Sequence, residues 1–263
     1  LERDINDMID RIDTLLRSQQ RFIAHAAHEL RSPLTSLLGE LSHAVRRPRD
    51  AEGYLAAIEE ALVETRHLKV LTEDLLTLVR LDAGPERDTP KEPLLLGALL
   101  NAAAKEIEVQ RYERHVEIMT FNADLIIHGT PLDLVRMLRN LLENAVRHSP
   151  DGGRIEVACH LDDGTVELTI RDEGPGVAPQ HRPRIFEPFY RGPRERADAP
   201  PGAGLGLAIA REISRAHGGE VTLAVPQPPV GATFVVRLPQ GHDGSWGGNG
   251  ASQHGRIDGN EAS

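Results

Sequence analysis

The chain of 263 residues is poor in cysteine, in aromatic rings and in net positive charge, and each shortage closes off a class of protein. Cys159 is the only cysteine, so there is no internal disulfide framework, and no Cys/His cluster has zinc spacing. It falls in an apparent strand and reads as a small core residue. Aromatic residues make up 3% of the chain, so the core must be built from Leu, Ile, Val and Ala, which suits helix-rich packing. The formal net charge is −10 with both signs scattered along the chain. No broad basic face is left to neutralise phosphates, and a general nucleic-acid binder is excluded. No apolar run reaches the roughly eighteen residues of a membrane span. No signal peptide and no internal repeat is visible. The chain opens without Met, already inside a helical pattern, and this leads us to expect a fragment of a longer protein.

The length leaves room for two domains. The spacing of apolar residues predicts a first helix over 1–45 and a second over 51–81, joined by the basic turn Arg46-Arg47-Pro48-Arg49-Asp50 with Asp50 as N-cap. Gly84-Pro85 stops the second helix. Such a hairpin cannot bury both apolar stripes alone, and pairing with a second copy into a dimeric four-helix bundle solves this. A linker rich in Pro and charge is expected over 85–93. An α/β region follows, with helices predicted at 95–110, 131–148 and 205–217. Strands are predicted at 115–121, 125–128, 154–160, 166–172, 220–225 and 232–238, with Asp162-Asp163-Gly164 as a turn. Thr130-Pro131-Leu132-Asp133 reads as a helix start with Thr130 as N-cap and Pro131 at N1. A loop rich in Pro and Arg covers 187–201, and the Gly- and Ser-rich tail beyond 240 has the composition of a disordered segment. The fold class expected is multidomain: an all-α helical hairpin, then an α/β two-layer sandwich.

Phe22 to Leu34 reads F-I-A-H-A-A-H-E-L-R-S-P-L. His28 and Ser32 are four apart and share a helix face, with Glu29 adjacent. Pro33 has no N–H to give the carbonyl of Glu29, so a kink is expected beside His28. Ile5, Ile9, Ile12, Leu16, Ile23, Ala26 and Leu30 form a heptad seam that places His28 at the outermost position. The seam resumes after Pro33 as Leu34, Leu37, Leu41 and Ala44, four residues out of phase. A helical His is ordinarily a solvated surface residue. The neighbouring carboxylate, the proline and four segments further along set this one apart.

Those segments come in a fixed order. Asn140, Asn144 and His148 are spaced by four on one helix face, with Arg147 beside them. Asp172-Glu-Gly174-Pro-Gly176 ends a strand, and its glycines let backbone approach a flat ligand. Phe186-Glu-Pro-Phe189-Tyr-Arg191 precedes the Pro/Arg-rich loop, its aromatics suited to pin one end of a lid. Gly202-Ala-Gly204-Leu205-Gly206-Leu207 runs into a helix, where exposed N–H groups and the helix dipole favour phosphate. Each alone is weak: a polar helix face or a strand-ending turn looks similar.

Together the segments are specific. H-E-L-R-S-P-L resembles the phosphoacceptor box of two-component sensor histidine kinases, and the four later segments resemble that family's N, G1, F and G2 boxes in order. The resemblance covers residues 5–239. It implies a HAMP-like exit helix at 1–17, a dimerisation and histidine phosphotransfer domain at 18–84, the linker 85–93, an ATP-binding domain at 94–239 and a tail at 240–263. His28 matches the phosphorylated histidine, with Glu29 and Ser32 as its catalytic neighbours. ATP is implied against Asn140, Asn144, Arg147, His148, Asp172, Gly174, Gly176, Arg191, Gly202, Gly204, Leu205, Gly206, Leu207 and Thr233, with Mg²⁺ on Asn144. Partners implied are a second copy in a homodimer and the receiver domain of a response regulator, with no nucleic acid. The full-length protein would sit in the cell membrane through N-terminal segments, this portion being cytoplasmic. Ser32 stands where the family has Thr or Asn, which bears on phosphatase activity toward the regulator, and Thr130 where it often has Asp.

Two other functions stand beside this one. Type II topoisomerases, a chaperone and mismatch-repair proteins share the ATP-binding fold but hydrolyse ATP with a Glu four residues before the metal-binding Asn. That position is Asn140 here, which cannot take a proton from water, and Glu143 is turned about 100° around the helix. A catalytically silent dimeric scaffold is the third reading, and ATP binding separates it from the first.

Overall fold

The computed structural model describes residues 2–46, 50–82, 91–192, 203–224 and 231–240. Helices α1 (Glu2–Arg46) and α2 (Ala51–Asp82) form the expected hairpin. Helix α1 is assigned without interruption through Pro33. Asp50 caps α2 as its sequence suggests, its Oδ1 accepting from the Gly53 N–H at 2.9 Å. Ile9, Ile12, Leu16, Ile23, Leu34 and Leu41 on α1, and Leu55, Ile58 and Leu62 on α2, stay exposed in the single chain.

Strand β1 (Glu92–Leu95) begins inside the stretch read as linker and pairs antiparallel with β3 (Ile126–Gly129) in a small two-stranded sheet. The helix expected over 95–110 is two: α3 (Leu96–Glu106) and α4 (Glu108–Glu113). Ile107 between them leaves the helical region at φ −106°, ψ 12° while its side chain stays in the core. Strands β2 (Glu117–Phe121), β4 (Arg154–Asp162), β5 (Thr165–Arg171), β6 (Glu220–Ala224) and β7 (Thr233–Pro239) make a five-stranded sheet in the order β2-β4-β5-β7-β6. Pairing is antiparallel except for β2 with β4. Asp163 and Gly164 both take positive φ, 43° and 72°, which is the tight two-residue turn expected between β4 and β5.

Alternation puts Ile155, Val157 and Cys159 of β4, Val166, Leu168 and Ile170 of β5, and Phe234, Val236 and Leu238 of β7 into the core. Helices α3, α5 (Pro131–His148) and α6 (Gly206–Ala216) cover that face, giving two layers. Cys159 is one of these core residues, and burial pushes its thiol up to about 11. Among the described residues no helix is long and apolar enough to cross a membrane.

The hairpin and the α/β layers share one apolar cluster, to which α2 contributes Leu71, Leu78 and Leu81. A polar seam runs beside it. Arg136 of α5 bonds Thr77 and, at 3.2 Å, Asp74, both on α2, while Arg80 reaches Asp133 at 2.5 Å. Burial raises the Asp74 carboxyl above its ordinary range, and the Arg136 and Arg139 guanidinium groups partly offset this.

Candidate functional site

The glycine-rich segments, one face of α5 and the ends of β5 and β7 converge at one end of the sheet. Asp172, just past β5, is 1% exposed. Its Oδ1 accepts from the backbone N–H groups of Gly174 at 2.9 Å and Ala232 at 3.0 Å. Its Oδ2 is buried with no partner in the protein, and so is Oγ1 of Thr233. Burial raises the Asp172 carboxyl above the usual carboxylate range, with the two N–H groups acting in the opposite sense. A buried carboxylate held by one oxygen, with the other unpaired, is an acceptor that an N–H donor would satisfy.

The backbone around it admits no side chains. A Cβ on Gly231 would stand 1.7 Å from the Asp172 carbonyl oxygen, and one on Gly174 would stand 2.5 Å from that of His148. Gly176 takes φ +73° and packs on Gly231. The D-x-G-x-G turn is thereby clamped between the end of α5 and the start of β7.

The amides of α5 have different fates. Asn140 is 5% exposed; its Nδ2 donates to the carbonyl of Gly206 at 3.2 Å and its Oδ1 accepts from Arg139. It therefore ties α5 to the first residue of α6. Asn144, half-buried one turn on, makes no side-chain hydrogen bond among the described residues, so its amide oxygen is available. Arg147 pairs with Glu143 at 2.9 Å. His148 is exposed, and desolvation and then the Arg147 charge push its pKa down. Magnesium takes few ligands from protein in phosphate sites, and the amide oxygen of Asn144 is a hard ligand of the kind it takes.

Leu205 is buried and leads into α6, Gly206 opens that helix, and Leu207 packs at the edge of the core. Gly204 takes φ +73°, and its carbonyl accepts from the Phe189 N–H at 2.9 Å. Gly202, and all but the first residues of the Pro/Arg-rich loop, lie outside the described residues. Phe186, just before that loop, meets Phe234 edge-on at 6.3 Å, and Tyr190 Oη lies 2.6 Å from His181 Nδ1. Arg191 follows, exposed.

His28 and Ser32 are exposed on α1 and Glu29 is half-buried. None of the three makes a side-chain hydrogen bond or ion pair among the described residues. Two contacts had no signal in the sequence, because their partners lie far apart in the chain. Phe189 packs against the rings of Phe22 and His25 of α1. His217 reaches across to the start of α5, its Nε2 accepting from the Thr130 N–H at 3.1 Å.

Comparison with known proteins adds a second line. The family model described as "His Kinase A (phospho-acceptor) domain" matches residues 18–84, and that described as "Histidine kinase-, DNA gyrase B-, and HSP90-like ATPase" matches residues 129–242. The sensor histidine kinase CusS of Escherichia coli O6:H1 is 34% identical over 237 residues, covering 89% of this chain and 48% of that protein. The histidine-protein kinase/phosphatase MprB of Mycobacterium leprae is 36% identical over 232 residues, 84% of this chain and 43% of that protein. Among solved structures, full-length ShkA in complex with AMPPNP is similar with a TM-score of 0.60 at 29% identity, covering 84% of this chain and 45% of ShkA. The chain spans about half the length of the curated relatives it matches.

Proposed function

Because the chain belongs to the sensor histidine kinases of two-component systems, we propose that it phosphorylates itself on His28 from ATP and passes the phosphoryl group to an Asp on a response regulator. One observation carries the nucleotide half of this reading: Asp172 Oδ2 and Thr233 Oγ1, buried and unpaired beside glycines at which backbone packs directly on backbone. The exocyclic amino group of adenine supplies the donor that Oδ2 lacks. The phosphates then extend toward Arg147, His148, Arg191 and the Gly202–Gly206 loop. Asn140 holds that loop's helix to α5. Magnesium, when bound, neutralises the triphosphate; the free amide oxygen of Asn144 supports placing it there. The AMPPNP complex of ShkA is in keeping with this site.

At His28 the neutral ring nitrogen attacks the γ-phosphorus. A nitrogen–phosphorus bond forms, the bond from γ-phosphorus to the ADP oxygen breaks, and the proton on the other ring nitrogen passes to Glu29, which also orients the ring. Residues 18–84 act as the dimerisation and phosphotransfer domain and 94–239 as the ATP-binding domain. Two copies pair through the exposed seam of the hairpin, and N-terminal segments beyond this chain attach it to the membrane. Ser32, one turn from His28, holds a water for hydrolysis of the phosphorylated regulator. Its hydroxyl lacks the β-branch that would restrict χ1. Ser32→Ala should keep autophosphorylation and slow regulator dephosphorylation, while Ser32→Thr should match or exceed wild type.

The decisive measurement is labelling with γ-labelled ATP. An acid-labile, base-stable label that disappears in His28→Gln is expected. A label that survives in His28→Gln, or ATP hydrolysis with no label, would overturn the assignment.

A further inference from the structure

Phe189 joins the phosphoacceptor helix to the nucleotide loop. On one side its ring stacks on the His25 imidazole, with centroids 5.6 Å apart and planes 18° apart, and meets the Phe22 ring at 5.5 Å and 50°. On the other side its N–H donates to the Gly204 carbonyl, and a Cβ on Gly204 would lie 2.9 Å from the carbonyl carbon of Phe189. The two backbones are therefore in direct contact, and the loop that opens α6 cannot shift without moving the ring. Phe189 holds φ at +63°, an unfavourable conformation for a bulky side chain, kept here by the Gly204 bond and the ring contacts.

The place of the contact on α1 matters. His25 precedes His28 by three residues, about 4.5 Å of helix rise, and Phe22 precedes it by six. Three rings meet there in a chain that has five Phe, three Tyr and one Trp. His25 is exposed, and Phe22 and Phe189 are half-buried at the edge of the core. The cluster has the form of a docking contact.

We propose that Phe22, His25 and Phe189 form an aromatic clasp that sets where the nucleotide loop meets α1, making His25 a positioning residue for phosphoryl transfer to His28. The proposal rests on the kinase reading above. In-line transfer depends steeply on placement, since a misplacement of about 1 Å can cost up to roughly a hundredfold in rate. A ring one turn from the acceptor, tied through Phe189 to the loop that receives the phosphates, controls that placement without touching either reactant.

The test uses the whole chain, saturating γ-labelled ATP and a fluorescent ATP analogue. His25→Ala and Phe189→Ala should each slow labelling of His28 about tenfold or more with the analogue's Kd unchanged. His25→Phe, which keeps a ring, should restore the rate. The double variant should be no slower than the slower single one, because both break the same contact. Labelling of His25→Ala at the wild-type rate or faster overturns the clasp, as does a His25→Phe as slow as His25→Ala, or losses that multiply. If the wild-type chain takes no label, or His28→Gln keeps it, the kinase reading fails instead, so the two failures are separable.

Discussion

Asn140 and Asn144 lie one turn apart on α5 with the same side chain and different work. Spacing put both on one face of α5, but it could not show that Asn140 is engaged by Gly206, 66 residues away in sequence. Asn140→Ala should therefore lower stability by about 1–2 kcal/mol, the cost of orphaning a buried hydrogen-bonding group, seen as a lower melting midpoint. Asn144→Asp should leave that midpoint in place and cut magnesium-dependent labelling; wild-type labelling would remove Asn144 from the metal site. Asp172 gives a pH prediction. Its folded pKa lies above the ordinary 3.8, so protonation of Oδ2, which turns the acceptor into a donor, sets in at higher pH than for an exposed Asp. Affinity for an ATP analogue should fall on acidification, and in Asp172→Asn it should be weak at every pH. The sign for stability is opposite. A carboxyl whose pKa is raised by folding costs stability above that pKa, and the cost disappears as pH falls toward the unfolded value. Asp172→Asn should therefore be at least as stable as wild type at pH 7 while losing nucleotide, an outcome no generally misfolded variant would give.

Helix starts illustrate how far local signals reach. Asp50 caps α2 as its sequence suggests. Thr130 occupies the N-cap position of α5 with Pro131 behind it, yet its hydroxyl makes no capping bond. His217 meets a different donor at this helix start: its Nδ1 donates to the Ile213 carbonyl at 2.8 Å and its Nε2 accepts from the N–H of Thr130 itself, which fixes one neutral tautomer. The ring also fills the space a Cβ on Gly129 would need. Thr130→Ala should thus change stability by less than about 0.5 kcal/mol, while His217→Leu should cost about 1–3 kcal/mol; urea midpoints for the two variants check the order. Long periodic helices and the β4–β5 hairpin were legible because their signals lie within one element. The break at Ile107 and the four-residue β1, which includes a Pro, were not. Both depend on what packs against them rather than on their own pattern.

Across the whole molecule the division into hairpin and α/β layers could be read from the switch in apolar period, and three of the four ordered segments, as far as they are described, meet at one end of the sheet. The parallel β2–β4 pair and the insertion of β7 between β5 and β6 could not, since register between distant strands leaves no local trace. The exposed seam of the hairpin predicts that the chain sediments as a dimer and that Ile58→Glu yields monomers with undiminished nucleotide affinity. The strand order also has a consequence for synthesis. Among the described residues β7 is the last strand made and β6 pairs only with β7, and the Asp172 carboxylate is oriented by Ala232 at the threshold of β7. At roughly 5–20 residues per second on the ribosome, β7 follows β5 by several seconds, during which β5 is an open sheet edge and the Asp172 carboxylate lacks the Ala232 N–H. The hairpin by then has long emerged with its apolar stripe bare. A product truncated before residue 232 should therefore keep the exposed seam of the hairpin, and with it the dimerisation proposed above, while losing the proposed affinity for nucleotide.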